Sequence, residues 1–413
     1  MQKIAEPPFR RQAALVLLIV LIALNLRSFL AAPGPILPRI AADTELSYGA
    51  LSLLTLLPML LMGAGAFVSP VLQAIIGTRR GLLAALGLLL IGSFFRLFAW
   101  NGNVLILTAA ASGAGVAFVQ SALPGLIKEK FPHSTASMAG FYSAMIMTGG
   151  AVGAQLTPLL ANSGLSWRAA LAWLALPALV ALLATARLLP ETRATRPCRD
   201  LTGRLLRCPR TWTLMAMFGL VNGGYSSLIA WLALYYQELG WSGAASGTLI
   251  SVMALSQGCG AVALPLLARN RLDRRPWLWS TIALQAFGFA GLAFAPSALP
   301  VVWAASCGFG LAGSFALSLL VALDHFSDAR QAGPLAALMQ GGGFLITAAP
   351  PFLLASLHDA TGSFESGWVM HLALIAAAAI LAYRFDPNTY HRAMTCQPVT
   401  SHRVPPRTGH NPK

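Results

Sequence analysis

The sequence predicts an all-α polytopic membrane protein, with twelve transmembrane helices arranged as two pseudo-symmetric six-helix bundles. Three observations predict it. Of the 413 residues, 56% are hydrophobic and only 10% charged, with a mean hydropathy of +0.67, which leaves too little charge to cover a soluble domain. Twelve apolar runs have the length of about 20 residues that crosses a bilayer core. The second half of the chain also repeats features of the first at one offset.

In order, the runs lie at 13–33, 48–75, 81–99, 103–127, 136–160, 168–189, 211–236, 246–268, 277–295, 299–323, 332–356 and 367–384. The first is too long for a signal-peptide core and has no small-residue cleavage site after it, so it reads as a retained helix. The chain then divides into an N-tail (1–12), a first bundle (13–189), a linker (190–210), a second bundle (211–384) and a tail (385–413). The linker, PETRATRPCRDLTGRLLRCPR, is Arg-rich and partly amphipathic. That fits a helix on the inner membrane surface, or a solvated connection with no task beyond orientation. The tail is polar and rich in proline and basic residues, a composition that predicts disorder.

A net charge of +15 would suggest nucleic acid for a soluble protein, but here its placement decides. With an inside N-terminus, 24 of the 28 Lys and Arg fall on the inner side; the outer segments keep only Arg39 and Arg168. This positive-inside bias places both termini in the cytoplasm of a multi-pass inner-membrane protein. It makes the bilayer, and not nucleic acid, the partner of the basic charge. A monomer is expected. None of the five cysteines falls in an outer segment, so no disulfide framework is implied.

At an offset of 195 residues, Gly113-Ala-Gly115 falls on Gly308-Phe-Gly310, Glu129 on Asp324 and Phe131 on Phe326. Asn25 meets Asn222 at 197, and Gly49-Ala-Leu-Ser meets Ser246-Gly-Thr-Leu at about the same shift. Two copies of a six-helix unit form a transporter architecture, with the binding site expected between the copies near mid-membrane.

Several segments carry a resemblance. ALNLRSFL (23–30) in helix 1, QSALPGLIKEKFP (120–132) in helix 4, FGLVNGGYSSLIAWL (218–232) in helix 7, LSLLVALDH (317–325) in helix 10 and MQGGGF (339–344) in helix 11 resemble the major facilitator superfamily. Within it they are most similar to the cyanate and nitroimidazole transporter group, cyanate transporters above all. The resemblance runs from about Leu24 to Tyr383. It implies the twelve-helix fold of that superfamily and a small polar substrate. In two places the chain departs from the pattern. The helix 2–3 loop keeps Gly77, Arg79 and Arg80 but has Ala74 and Ile75 where the superfamily carries an Asp-Arg pair, and Ala233 replaces a proline after Trp231-Leu232.

All 13 acidic residues lie in loops, tails or helix ends, so the deep charges are Arg27 and Arg96. A charge at mid-bilayer costs at least about 2.5 kcal/mol and therefore faces a cavity or a partner. Arg27 lies roughly 21 Å along its helix at 1.5 Å per residue. With no membrane carboxylate to cancel it, it reads as the anchor of a small anion, for which a planar fork of donors is suited. The bland alternative is a guanidinium bonded to helix-end carbonyls. Arg96, four residues before Trp100, reads as snorkelling to the interface.

Asn222 and Tyr225 share one face of helix 7; Gln120 in helix 4 and Gln340 in helix 11 add amides from both halves. Each can join helices or contact substrate. Asn25 is also a candidate through its match to Asn222, yet it projects about 200° from Arg27 on an ideal helix, so both cannot face one point. Gly149 and Gly153 read as a packing pair, and Trp100, Trp167 and Trp241 as interfacial anchors.

Arg79, Arg80, Glu129 and Asp324 are the candidate gating residues, the two acids standing at matching inner ends of helices 4 and 10. No nucleophile elbow, phosphate-binding loop or zinc-protease motif occurs, no Cys/His spacing suggests a metal, and no cofactor is implied. The expected function is alternating-access transport of cyanate or a similar small monovalent anion. The alternatives are export of neutral heteroaromatics stacked on Tyr225, Phe344 and Trp231, or a non-transporting sensor. With acids at the edges and only His371 buried, coupling to protons is not expected, and a facilitator or exchanger is.

Overall fold

Every one of the twelve apolar runs forms a helix, or a pair of helices end to end, in the computed structural model, which describes residues 9–44, 46, 48–191 and 199–395. The spans are Gln12–Ile36 (span 1), Leu56–Ile76 (2), Thr78–Phe98 (3), Gly102–Lys130 (4), Thr135–Asn162 (5), Trp167–Leu188 (6), Pro209–Glu238 (7), Ala245–Ala268 (8), Arg275–Phe294 (9), Pro300–Asp324 (10), Ala329–Thr361 (11) and Glu365–Tyr383 (12). Among the described residues no strand occurs.

Local chemistry sets the helix ends. Asn101, Ser166 and Ser242 each accept a hydrogen bond from the N–H three residues on, capping the helices of spans 4, 6 and 8. Gly77, at φ 83°, turns the chain between spans 2 and 3 in a conformation that favours glycine. Span 11 breaks at Ala348, where Pro350 and Pro351 open a second helix (Ala349–Thr361), prolines being tolerated in a first turn.

The packing repeats as the sequence does. Span 1 packs on 5 and 6, span 2 on 4, and span 3 on 4 and 6; span 7 packs on 11 and 12, span 8 on 10, and span 9 on 10 and 12. Adding six to each number of the first set gives the second. Across the halves, 5 meets 8 and 2 meets 11, while 4 meets 11 and 5 meets 10. The repeated glycines explain part of this. Gly113 touches the backbone of Pro58 in span 2 and Gly308 that of Met253 in span 8, partners again 195 residues apart. Gly115 and Gly310 likewise abut the carbonyls of Ala85 and Thr281, where an added methyl group would stand 2.5 and 2.7 Å away. Gly149 and Gly153 do the same for spans 5 and 1, on the carbonyls of Leu24 and Ser28, the close approach that small residues permit.

One end of the molecule gathers the basic residues of the segments between spans 2 and 3, 4 and 5, 6 and 7, and 8 and 9; it is called here the basic end. The halves are closed together at this end. Gly125 of span 4 lies against Gly333 of span 11, a methyl on Gly333 standing 3.0 Å from the Gly125 Cα. Lys128 Nζ donates to the carbonyls of Leu323 and Phe326 at the end of span 10. Towards the far end, the Ala349–Thr361 helix of span 11 packs mainly on spans 7 and 12 of its own half.

Three expectations need correction. The tail is ordered beyond residue 385: Phe385 and Tyr390 are buried and Tyr390–Met394 is helical. Arg275 pairs with Asp386, and Arg210 donates to the Arg384 carbonyl and to Thr389, polar ties that composition does not reveal. The disorder expected for 396–413, like the N-tail to residue 8 and linker residues 192–198, lies outside the described residues; the rest of the linker holds a helix (Arg199–Arg207) with Leu205 buried and Arg204 and Arg207 exposed. Arg96 does not snorkel. It is 1% exposed and turns inward, its terminal nitrogens 3.4 and 3.5 Å from the Phe29 carbonyl. Trp167 is buried, donating to Asp43, while Trp100 is exposed. Cys259 and Cys307 are free.

At the far end, Arg39 and Arg168 staple the first half. Arg39 donates to the Ala161 carbonyl and to Asn162; Arg168 pairs with Asp43 at 2.7 Å and donates to the Ala99 carbonyl. The hydrogen bonds from Trp167 and then Arg168 hold the Asp43 carboxyl below the usual carboxylate range.

Candidate functional site

Arg27 sits past the middle of span 1, and helical side chains lean back toward their N-terminus, which carries its guanidinium toward mid-membrane. It arrives between the halves. The guanidinium lies 4.4 Å from the ring centroid of Tyr225 in span 7 and 5.8 Å from that of Phe315 in span 10. The residue is 5% exposed, and its Nε and Nη1 are buried with no acceptor. Among the described residues no carboxylate pairs with it. The carbonyl-bound role that was the alternative for Arg27 belongs to Arg96 instead. Ring quadrupoles stabilise a buried cation by about 2 kcal/mol, and they leave its hydrogen-bond donors unsatisfied.

Aromatic contacts extend the site. Phe315 meets Phe218 at 5.4 Å, and Phe218 meets Phe344 of span 11, also at 5.4 Å. One turn before Phe344, Gln340 directs its Nε2 toward the Gln120 carbonyl of span 4 at 3.4 Å, a long bond across the halves. The Gln340 Oε1 and both amide atoms of Gln120 are buried without partners. Asn222 is buried and donates to the Phe218 carbonyl one turn back at 2.8 Å; Tyr225 is half-buried. Arg27, Tyr225, Asn222, Gln120 and Gln340 are thus joined by a continuous chain of contacts and neighbouring turns.

Asn25 is not part of this group. Its amide donates to the Leu21 carbonyl at 2.7 Å and to the Pro177 carbonyl of span 6 at 3.2 Å. This settles the conflict between two residues on opposite faces: Arg27 faces the second half and Asn25 faces span 6. Trp231 is also elsewhere, donating to the Pro351 carbonyl and packing on Phe364 at 5.8 Å. His371 is buried, stacked on Phe289 at 4.8 Å, with both ring nitrogens unpartnered. Sequence reasoning missed Phe218, Phe315 and Tyr142. The last is a fully buried span 5 tyrosine whose hydroxyl has no partner and lies within electrostatic reach of Arg27. A usable signal existed, since Tyr142 shares a helical face with Gly149 and Gly153.

The candidate gating residues lie at the basic end as expected, but the pairs do not cross it. Arg80 binds Glu191 at the start of the linker at 2.9 Å, while Lys130 binds Glu129 at 2.6 Å and Arg274 binds Asp324 at 3.0 Å, each of these two within one half. Arg79 donates to the Ala186 carbonyl of span 6. The tie across the halves is Lys128, whose acceptors are backbone carbonyls and therefore invisible in the side-chain pattern; Asp324 and Asp328 add favourable charge nearby.

Comparison with known proteins agrees with this architecture. The family profile described as Major Facilitator Superfamily matches residues 15–346. The chain is 38% identical over 374 residues to the cyanate transport protein CynX of Escherichia coli (strain K12), covering 90% of this chain and 97% of that protein. It is 30% identical over 381 residues to the 2-nitroimidazole transporter of the same organism, covering 90% and 94%. Among solved structures, the proton:xylose symporter XylE, bound to 6-bromo-6-deoxy-D-glucose, superposes with a TM-score of 0.72 at 17% identity, covering 90% of this chain and 95% of XylE.

Proposed function

The chain belongs to the Major Facilitator Superfamily, and on that premise we propose that it transports a small monovalent anion, cyanate or one like it, by alternating access, with Arg27 as the anion anchor. The observation that carries the reading is the Arg27 guanidinium, buried between the halves with donors that no acceptor satisfies. An anion supplies both the missing acceptor and the missing charge, and a charge-assisted hydrogen bond is about twice as strong as a neutral one. The similarity to a cyanate transport protein supports cyanate as the type substrate.

The positive-inside bias makes the basic end cytoplasmic. Closure at that end through Gly125, Gly333 and Lys128 then corresponds to a state loaded from outside. The halves rock about the interfaces that pair span 2 with 11 and span 5 with 8. The anion screens Arg27 during the passage, so the loaded site crosses without net charge. Among the described residues no carboxylate attends the site, which favours a facilitator or exchanger over a proton-coupled carrier; we take the transporter to act as a monomer.

A second reading has one observation in its favour. The rings of Tyr225, Phe315, Phe218 and Phe344 could receive a neutral heteroaromatic, in keeping with the similarity to a 2-nitroimidazole transporter. It leaves the Arg27 donors unsatisfied, however, and Trp231 is committed to Pro351.

Uptake into proteoliposomes decides between them. Radiolabelled cyanate is expected to enter faster than into protein-free vesicles, 2-nitroimidazole at the protein-free rate, and a pH gradient at fixed membrane potential should not drive accumulation. Uptake of the heteroaromatic alone would overturn the anion reading.

A further inference from the structure

We propose that Tyr142 is a second substrate-positioning residue, which together with Arg27 holds the anion at both ends and selects anions with acceptor atoms at opposite ends over single-atom halides. This rests on the anion-anchor reading of Arg27. Its own support is independent and geometric.

Tyr142, Ile146, Gly149 and Gly153 are spaced four, three and four residues apart, one face of span 5. Gly149 and Gly153 press that face onto the backbone of span 1 at Leu24 and Ser28, and a methyl on Gly150 would stand 3.4 Å from the Arg27 Cβ. Tyr142 lies two turns nearer the basic end than Gly149, and Arg27 leans toward the same end. The phenol stands within electrostatic reach of the Arg27 guanidinium. The phenol is fully buried, and its hydroxyl has no partner, an omission that costs about 1–3 kcal/mol unless something fills it.

No hydrogen bond joins the phenol to the guanidinium. Tyr225 and Phe315 occupy the surroundings of the guanidinium with ring faces, which accept no strong hydrogen bond. The unsatisfied Arg27 groups are donors, and the phenol can donate as well. What the pair lacks is an acceptor at each end. A linear three-atom anion offers an acceptor atom at each end, to two donors set apart; a halide offers one atom, which reaches both donors only where they stand close together, and a neutral heteroaromatic brings no charge for Arg27.

The test is titration calorimetry on purified protein in nanodiscs, with cyanate, thiocyanate and bromide against wild type, Tyr142→Phe and Arg27→Gln. Wild type is expected to prefer cyanate and thiocyanate to bromide by tenfold or more. Tyr142→Phe should weaken the two-ended anions about tenfold to a hundredfold, the loss of one hydrogen bond to a charged group, and bromide less than threefold. Its melting temperature should be unchanged or higher, because an unsatisfied hydroxyl has been removed. Arg27→Gln should abolish binding of all three. Equal weakening of all anions in Tyr142→Phe, or none, would overturn the role of Tyr142 while the Arg27 result still judged the anchor. Wild-type protein that binds bromide as tightly as cyanate overturns the inference without any variant.

Discussion

Replacing Lys128 with methionine should unlock the basic end. The methionine keeps most of the apolar stem and removes the ammonium that donates to the Leu323 and Phe326 carbonyls across the halves. Hydrogen bonds to a charged group contribute about 1.5–3 kcal/mol each. Lys128 is only partly buried, so the lower figure applies, or about 3 kcal/mol for the two. At 1.4 kcal/mol per factor of ten, the fraction open at this end rises about a hundredfold. A reporter can be placed at Ala337, fully buried in span 11 and one turn beyond Gly333 on the side facing span 4. With the five native cysteines replaced, Ala337→Cys should react with a membrane-impermeant maleimide, applied from the basic end, at a rate proportional to the open fraction. The Lys128→Met protein should then react about a hundredfold faster. Equal rates in the two backgrounds would refute the reasoning and leave the gate to the glycine contact.

Two further outcomes follow from packing and from titration. Gly149→Ala places a methyl group on the Leu24 carbonyl oxygen; overpacking against backbone should cost about 2–3 kcal/mol, seen as a lower melting temperature, and an unchanged one would contradict the close approach of spans 1 and 5. His325 bonds the Val321 carbonyl through Nδ1 and stacks on Tyr390 at 3.9 Å; burial first, offset in part by that bond and aided by the Arg210 and Lys128 charges, pushes its pKa from 6.5 down to about 4. The folded state thus favours the neutral ring, and stability is full above pH 6.5 and lost as the pH falls toward 4. By pH 5 the loss is about 2 kcal/mol, and His325→Gln should flatten the melting-temperature profile between pH 7 and pH 5; a profile identical to wild type would show that His325 does not titrate this way.

The sequence carried most of the fold and part of the site. Apolar runs report helices directly, because a bilayer leaves the backbone few alternatives. The 195-residue offset of Gly113-Ala-Gly115 reported the second bundle, since glycines at those positions serve the same contacts in both halves. Arg27 was legible as a charge without a partner. Which face of span 1 turned inward was not legible, because an ideal helix says only that Asn25 and Arg27 oppose each other; the close packing of Gly149 and Gly153, and the Pro177 carbonyl that takes the Asn25 amide, decide it. Which group ties the halves together was not legible for a related reason. Charged side chains suggest ion pairs, but Glu129 and Asp324 find cations within their own halves, and Lys128 finds backbone oxygens. Arg96 was misplaced because its acceptor, the Phe29 carbonyl, is a backbone group that the side-chain pattern does not reveal; Arg96 opens the 3-10 turn (Arg96–Phe98) that ends span 3.

Uptake by Arg27 variants tests the central claim most directly. Arg27→Gln removes the charge and most donors; Arg27→Lys keeps the charge and loses the planar fork. Reconstituted at equal density, with folding checked by melting temperature, Arg27→Gln should transport cyanate no faster than protein-free vesicles. Arg27→Lys should retain a small fraction of wild-type uptake, with the loss appearing in KM. Wild-type uptake of cyanate by a folded Arg27→Gln protein would contradict the account, returning Arg27 to a structural cation held by Tyr225 and Phe315.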